Sequence, residues 1–246
     1  MLLRKWDDLP PEMRNSEVRK YYDILQKKRV SLFFKRVFDI LAATILLLLL
    51  SPVFLILAIA IKIDSPGKVF YRQVRVTQYG RRFRIFKFRS MVSDADRKGT
   101  LVTVSGDTRV TKIGKFIRRY RLDEIAQLLN VICGDMTFVG TRPEVPRYTD
   151  QYTSEMMATL LIPAGITSLA SIYYKDESKI LDASDDPDRV YVEKVLPAKM
   201  YHNLKAIEEF SLFGDVKIMF MTLFAVVGKE YKSEDPGKEK DKDNIK

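Results

Sequence analysis

The sequence predicts a mostly helical α/β protein in which an apolar helical segment that dips into a membrane precedes a small domain with amphipathic helices. Three observations carry this. One apolar run is broken by proline and flanked by basic residues on both sides, a β-prone pair of segments follows it, and helically spaced apolar positions recur towards the C-terminus.

Residues 1–36 are polar and charged, with Leu9-Pro10-Pro11 as a breaker and a helical stretch from Ser16 to Lys28. They lack the short apolar core and small-residue cleavage site of a secretory signal, and read as an N-terminal extension on the cytoplasmic side. From Ile40 to Ile61 about 22 residues carry no charge, enough at 1.5 Å per residue to cross a hydrocarbon core of roughly 30 Å. Ser51-Pro52 lies at the centre of that run, where proline removes a backbone hydrogen bond and the serine hydroxyl can occupy freed groups.

Charge bears on the topology of this segment. Lys27, Lys28, Arg29, Lys35 and Arg36 precede the run, and Lys62, Lys68, Arg72, Arg75, Arg81 and Arg82 follow it. Basic flanks favour the cytoplasmic side, so a straight span would carry one cluster across. A re-entrant helix over 37–63 satisfies both flanks; a kinked full span is the other arrangement, and labelling from the two sides separates them.

Ser65-Pro66-Gly67 is turn chemistry, and Val69 to Tyr71 and Phe83 to Phe88 are β-prone, with Tyr79-Gly80 available for the turn between them. In a regular strand Arg82 and Arg84 share one face and Lys87 and Arg89 the other; aligning all four needs a bulge near Ile85-Phe86. Residues 92–106 read as a mobile loop. Leu122, Ile125, Leu128, Leu129 and Ile132 follow helical spacing within 116–133, and Gly134 is placed as the C-cap. Residues 155–162 and 211–227 are apolar helical stretches, suited to a core or to a membrane interface. The tail 232–246 is charged and reads as disordered.

Composition narrows the chemistry. A net charge of +10 calls for an anionic partner. One cysteine excludes an intrachain disulfide and a thiolate cluster, and one histidine excludes a multi-histidine metal site. Cys133 reads as a packing residue. Carboxylates, lysines and arginines are left to act. Asp123-Glu124 follows Arg118, Arg119 and Arg121 at the start of the periodic segment; cations there would hold an aspartate ionised and collect phosphates. An acidic pair at a helix N-terminus is also ordinary. Arg142, in the Gly140-Thr141-Arg142-Pro143 loop, has the fixed fork that suits phosphate. The Gly-Lys near 114 lacks the spacing of an ATP-type phosphate loop.

Taken in order, Lys35-Arg36-Val37-Phe38-Asp39, Ser51-Pro52, Ser65-Pro66-Gly67, Gln73, Arg75, Lys87-Phe88-Arg89-Ser90-Met91, Asp107-Thr108-Arg109-Val110-Thr111, Leu122-Asp123-Glu124, Gln127-Leu128, Gly134-Asp135-Met136 and Arg142-Pro143-Glu144 resemble the bacterial sugar transferase family, the short monotopic phosphoglycosyl transferases. The likeness runs from about Lys35 to Tyr231, with Thr141 where the family often has proline. It implies a catalytic domain over 64–231 on the cytoplasmic face of the bacterial inner membrane. It also implies transfer of a sugar-1-phosphate from a UDP-sugar to polyprenyl phosphate, typically undecaprenyl phosphate, in the first step of glycan or polysaccharide assembly.

By motif position, Asp123 is the nucleophile and Glu124 its partner, and the two are the ligands for Mg²⁺. Arg142, Lys87, Arg89, Arg109 and Arg118 form the phosphate-binding set. Partners are then donor, acceptor and membrane lipids, with a homodimer left open. No nucleic acid is expected, because the aromatics lie in apolar patterns and do not interleave with the basic residues. A noncatalytic membrane-anchored basic module is the alternative class; it accounts for the charge and the apolar run but not for the ordered motifs.

Overall fold

The computed structural model describes residues 3–93, 95, 107–174 and 186–231. Most of the loop expected over 92–106 and the whole tail 232–246 lie outside the described residues. Helix α1 (Ser16–Lys27) starts at Asn15, whose side chain accepts from the Val18 amide. Leu3, Leu9, Met13, Val18 and Leu25 are buried against Ala158, Leu161 and Ile207, so this charged N-terminal stretch contributes to the main core.

The apolar run forms α2 (Arg29–Leu49) and α3 (Ser51–Asp64), which meet at 61°. Neither helix alone is long and apolar enough to cross a membrane; the bent pair together reaches that length and composition. At the bend the Ser51 hydroxyl donates to the Leu48 carbonyl, and Pro52 sits in the first turn of α3, where a missing N–H costs least.

Helix α2 has its polarity inverted. Lys35 and Asp39 are buried while Phe33, Phe34, Leu41, Ile45 and Leu48 are exposed. The Lys35 Nζ lies 2.6 Å from Asp215 Oδ2, and Asp39 accepts from Thr137 Oγ1 and from the Phe138 amide. Arg36 donates to the carbonyls of Met136 and Ile132. Polar contacts therefore seat α2 on the body, and its outer face is left apolar.

Strands β1 (Phe70–Val76) and β2 (Arg82–Phe88) pair antiparallel through a turn over Gln78–Gly80, with Tyr79 left-handed at φ 59°. Their register runs one to one from Phe70↔Phe88 to Val76↔Arg82, so no bulge occurs. Tyr71, Gln73, Arg75, Lys87 and Arg89 share one face, and Arg82 and Arg84 lie on the other. Helix α4 (Lys112–Arg119) and helix α5 (Leu128–Cys133) flank a 3-10 turn over Leu122–Gln127. Gly134 caps α5 at φ 87°. Cys133 is exposed, not packed, because it is the last residue of α5 and turns away from the face that buries Leu128 and Val131.

A second sheet pairs β3 (Met136–Val139) and β4 (Ala164–Thr167) in parallel. Just past β3 the backbones touch: a Cβ on Gly165 would meet the Gly140 carbonyl oxygen, and only glycines allow this approach. The remaining elements are α6 (Pro146–Thr149), a buried 3-10 turn over Met156–Leu161, α7 (Leu169–Tyr173), α8 (Pro187–Val190), a π-helical turn over Tyr191–Val195, α9 (Leu196–Glu208) and α10 (Leu212–Val226). The stretch over 155–162 is thus core, while α10 buries Ile218 and exposes Phe213, Phe220, Leu223 and Phe224. Among the described residues the protein is mostly helical with two small sheets.

Candidate active site

The apolar periodicity of 116–133 does not produce one helix. Arg121 adopts a left-handed conformation at φ 52°, ends α4, and tightens the following residues into the 3-10 turn that carries Asp123 and Glu124. Ile117 before the break and Ala126 after it are buried in one cluster with Leu57, Ile61 and Phe88, while Leu128 and Val131 of α5 pack into a second with Phe83, Ile85 and Met136. The first cluster links the carboxylate turn, which lies against β2, to α3 of the apolar pair.

Asn130 sets β2 against that turn. Its side-chain carbonyl accepts from the Phe86 amide, and its NH₂ donates to the Arg84 carbonyl and to Asp135. Lys87 then projects towards the carboxylates, with its Nζ 3.5 Å from Glu124 Oε1 and 3.9 Å from Asp123 Oδ2. Arg142 reaches in from the loop after β3, its Nη2 2.5 Å from the same Glu124 oxygen.

The two carboxylates are in different electrostatic states. Burial pushes Asp123 above its ordinary value, Lys87 opposes that rise and the charge of Glu124 adds to it. Burial acts on Glu124 in the same sense, but Arg142 and Lys87 outweigh it and hold that carboxyl well below the usual range. Lys87 is itself pushed down by burial, against the pull of Glu124. Glu124 is thus pinned as an anion between two cations, while among the described residues the ion-pair contact of Asp123 is the more distant one to Lys87.

A cleft of about 180 Å³ opens over Asp123, lined by Tyr71, Gln73, Arg75, Lys87, Arg89, Arg109 and Arg118 among others. Four of the five basic residues picked out in the sequence border it, and Arg142 stands behind Glu124. They are not equivalent. Arg89 spends its two terminal nitrogens on the carbonyls of Ile61, Ser65 and Pro66 and on Ser93, which clamps β2 to the end of α3. Arg109 forks onto Asp107 and donates to the Ala95 carbonyl.

Sequence reasoning counted Arg75 among the flanking cations and the ordered motifs but assigned it no site role; it donates to Gln73 Oε1 and to the Pro143 carbonyl at the cleft wall. Strand parity with Lys87 was the available signal. Tyr191 and Lys199, buried around Glu144, carried no local signal at all.

Among the described residues no three potential metal-ligating side chains cluster. Asp123 and Glu124 nevertheless fit Mg²⁺ as a hard-oxygen pair on one turn, since this ion commonly takes one or two carboxylates and fills its shell with phosphate oxygens and water.

A half-buried carboxylate turn borders a cleft lined by basic side chains, an arrangement that suits phosphate chemistry. The model of the bacterial sugar transferase family matches residues 30–229, and the chain belongs to that family. It is 38% identical over 198 residues to the UDP-N-acetylgalactosamine-undecaprenyl-phosphate N-acetylgalactosaminephosphotransferase of Aeromonas hydrophila, covering 79% of this chain and 44% of that protein. It is 37% identical over 218 residues to the UDP-glucose:undecaprenyl-phosphate glucose-1-phosphate transferase of Escherichia coli, covering 87% of this chain and 44% of that protein. The uncharacterized sugar transferase EpsL of Bacillus subtilis is 34% identical over 198 residues, covering 80% of this chain and 88% of EpsL. The chain spans less than half the length of the first two relatives.

Proposed function

We propose that the protein transfers a sugar-1-phosphate from a UDP-sugar to undecaprenyl phosphate in two displacements at Asp123, on the cytoplasmic side of a bacterial membrane. The observation that carries this reading is the asymmetric carboxylate pair: Glu124 pinned by Arg142 and Lys87, and Asp123 beside it facing a cationic cleft. The names of the relatives supply the donor and acceptor classes.

In the first displacement a carboxylate oxygen of Asp123 attacks the sugar-bearing phosphorus. The bond from that phosphorus to the bridging oxygen breaks, UMP leaves with the bridging oxygen, and an aspartyl phosphosugar remains. In the second, a phosphate oxygen of the prenyl carrier attacks the same phosphorus and displaces the Asp123 carboxylate. The product is a prenyl diphosphosugar. Lys87, Arg118 and Arg75 gather the donor phosphates, and Arg142 keeps Glu124 ionised and fixed. Mg²⁺, held by Asp123 and Glu124, would neutralise charge on the diphosphate.

The acceptor's geometry fits the apolar surfaces. Leu55, Ile56 and Ile59 of α3 and Leu223 and Phe224 of α10 are exposed, which suits a bilayer that also holds the prenyl chain. We read α2 and α3 as entering and leaving that bilayer on one side. Cysteines placed at Lys28 and Lys68 test this: one-sided labelling is expected, and labelling from opposite sides would establish a span.

UMP release from a panel of UDP-sugars, with undecaprenyl phosphate and Mg²⁺, tests the activity. Release with at least one sugar is expected; none across the panel would refute the reading.

A further inference from the structure

Glu144 lies two residues beyond Arg142 and is buried at 6% exposure. Its Oε1 accepts from the Tyr191 hydroxyl at 2.6 Å and lies 3.5 Å from Lys199 Nζ, and that ammonium in turn donates to the Tyr191 oxygen at 3.0 Å. Lys199 is itself almost fully buried. The same short segment is tied to the cleft, because Arg75 donates to the Pro143 carbonyl and the Val76 amide donates to the Glu144 carbonyl.

A local irregularity brings Tyr191 and Lys199 together. Eight residues of uninterrupted α-helix would set them about 80° apart, at about 100° per residue. The π-helical turn over Tyr191–Val195 is wider than an α-turn and takes up that difference, so both side chains face Glu144. Tyr191 also packs on Tyr148 with ring centroids 4.5 Å apart, which fixes its ring from the other side.

Arg75 bonds the carbonyl next to Glu144, and the charges of Arg75 and Arg142 both act on its carboxylate, so an unsatisfied Glu144 would compete with Glu124 and with substrate phosphate for those guanidinium groups. Burial works against the charge on Glu144, yet Lys199 and the Tyr191 hydroxyl outweigh it and hold the group ionised. We infer that Tyr191 and Lys199 are positioning residues: by satisfying Glu144 they leave Arg142 to Glu124 and Arg75 to the donor phosphates. This rests on the proposed phosphotransfer only for its kinetic consequence; the choice of partner by Arg142 is a property of the folded protein.

The test is a charge-compensation cycle in the full chain, reconstituted in lipid nanodiscs. Lys199→Met strands Glu144 and is expected to lower kcat/KM for the UDP-sugar by at least about 10-fold, because breaking a buried pair leaves an uncompensated charge. Lys199→Met with Glu144→Gln removes the competitor and is expected to return within about 3-fold of wild type, a coupling that independent sites do not show. Tyr191→Phe, which keeps the ring packing, is expected to fall between them. A double variant as impaired as the single one, with thermal melting unchanged, overturns the inference, as does a fully active Lys199→Met.

A crystal structure of Lys199→Met reads the same point without turnover. Arg142 or Arg75 is expected to have turned onto Glu144; both guanidinium groups still in their wild-type places would overturn it. Wild-type protein that fails to release UMP would instead count against the proposed function alone.

Discussion

Two of the protein's charged sites, the seat under α2 and the carboxylate turn of the cleft, are built differently. Between α2 and α10 one lysine meets one aspartate: Lys35 and Asp215 lie 2.6 Å apart, with side-chain exposures of 3% and 16%. At the cleft, two cations converge on a single oxygen of Glu124, and Asp123 beside it has, among the described residues, one ammonium 3.9 Å away. The first is a matched pair that seats a helix whose outer face is apolar. The second gives one carboxylate no ion-pair partner nearer than 3.9 Å among the described residues, at the floor of a cationic cleft, an arrangement that suits the nucleophile proposed here. Burial of charge alone does not mark the site; unequal pairing does.

This contrast is broken most severely at Asp123. Asp123→Asn is expected to lower UMP release by about 10⁴-fold or more, as loss of a nucleophile does, while leaving the melting temperature within a degree or two of wild type. The matched pair should respond the other way. Lys35→Met alone is expected to cost about 3–5 kcal/mol of stability, and Lys35→Met with Asp215→Leu to recover most of it, read by thermal unfolding in detergent micelles. Activity per folded molecule should survive the double change.

Glu124→Gln keeps shape but releases Arg142 and Lys87, and a loss of about 10²-fold in kcat is expected. The smallest effect concerns pH. Asp123 must be ionised to attack, and burial raises it above 3.8, so the acid limb of the kcat/KM profile should lie above that value. Lys87 opposes the rise; Lys87→Met should therefore move the limb to still higher pH, whatever the loss in rate.

Much of this was legible from residues in a row. The uncharged run, the Ser51-Pro52 break, the turn at Tyr79-Gly80 and the Gly134 cap each depend on near neighbours, and local chemistry decides them. So does strand parity, which separated Lys87 and Arg89 from Arg82 and Arg84 once the register proved regular. What escaped depends on contacts across the chain. Periodicity over 116–133 could not reveal the break at Arg121, because Ile117 before it and Ala126 after it still pack into one cluster. Parity put Arg89 on the cleft face but could not show that its terminal nitrogens are taken by the end of α3. The charged stretch before Lys28 hid Leu9, Met13 and Leu25 as core residues, since their partners lie beyond residue 150. Tyr191 and Lys199 meet only through a π-turn, for which a sequence has no period to offer.

The most direct measurement is intact mass after mixing the protein with UDP-sugar and Mg²⁺ in the absence of acceptor, followed by peptide mapping. A gain of one phosphosugar on Asp123, discharged when undecaprenyl phosphate is added, is expected. Turnover measured under the same conditions with no adduct on Asp123, or with Asp123→Asn still active, would contradict the covalent mechanism.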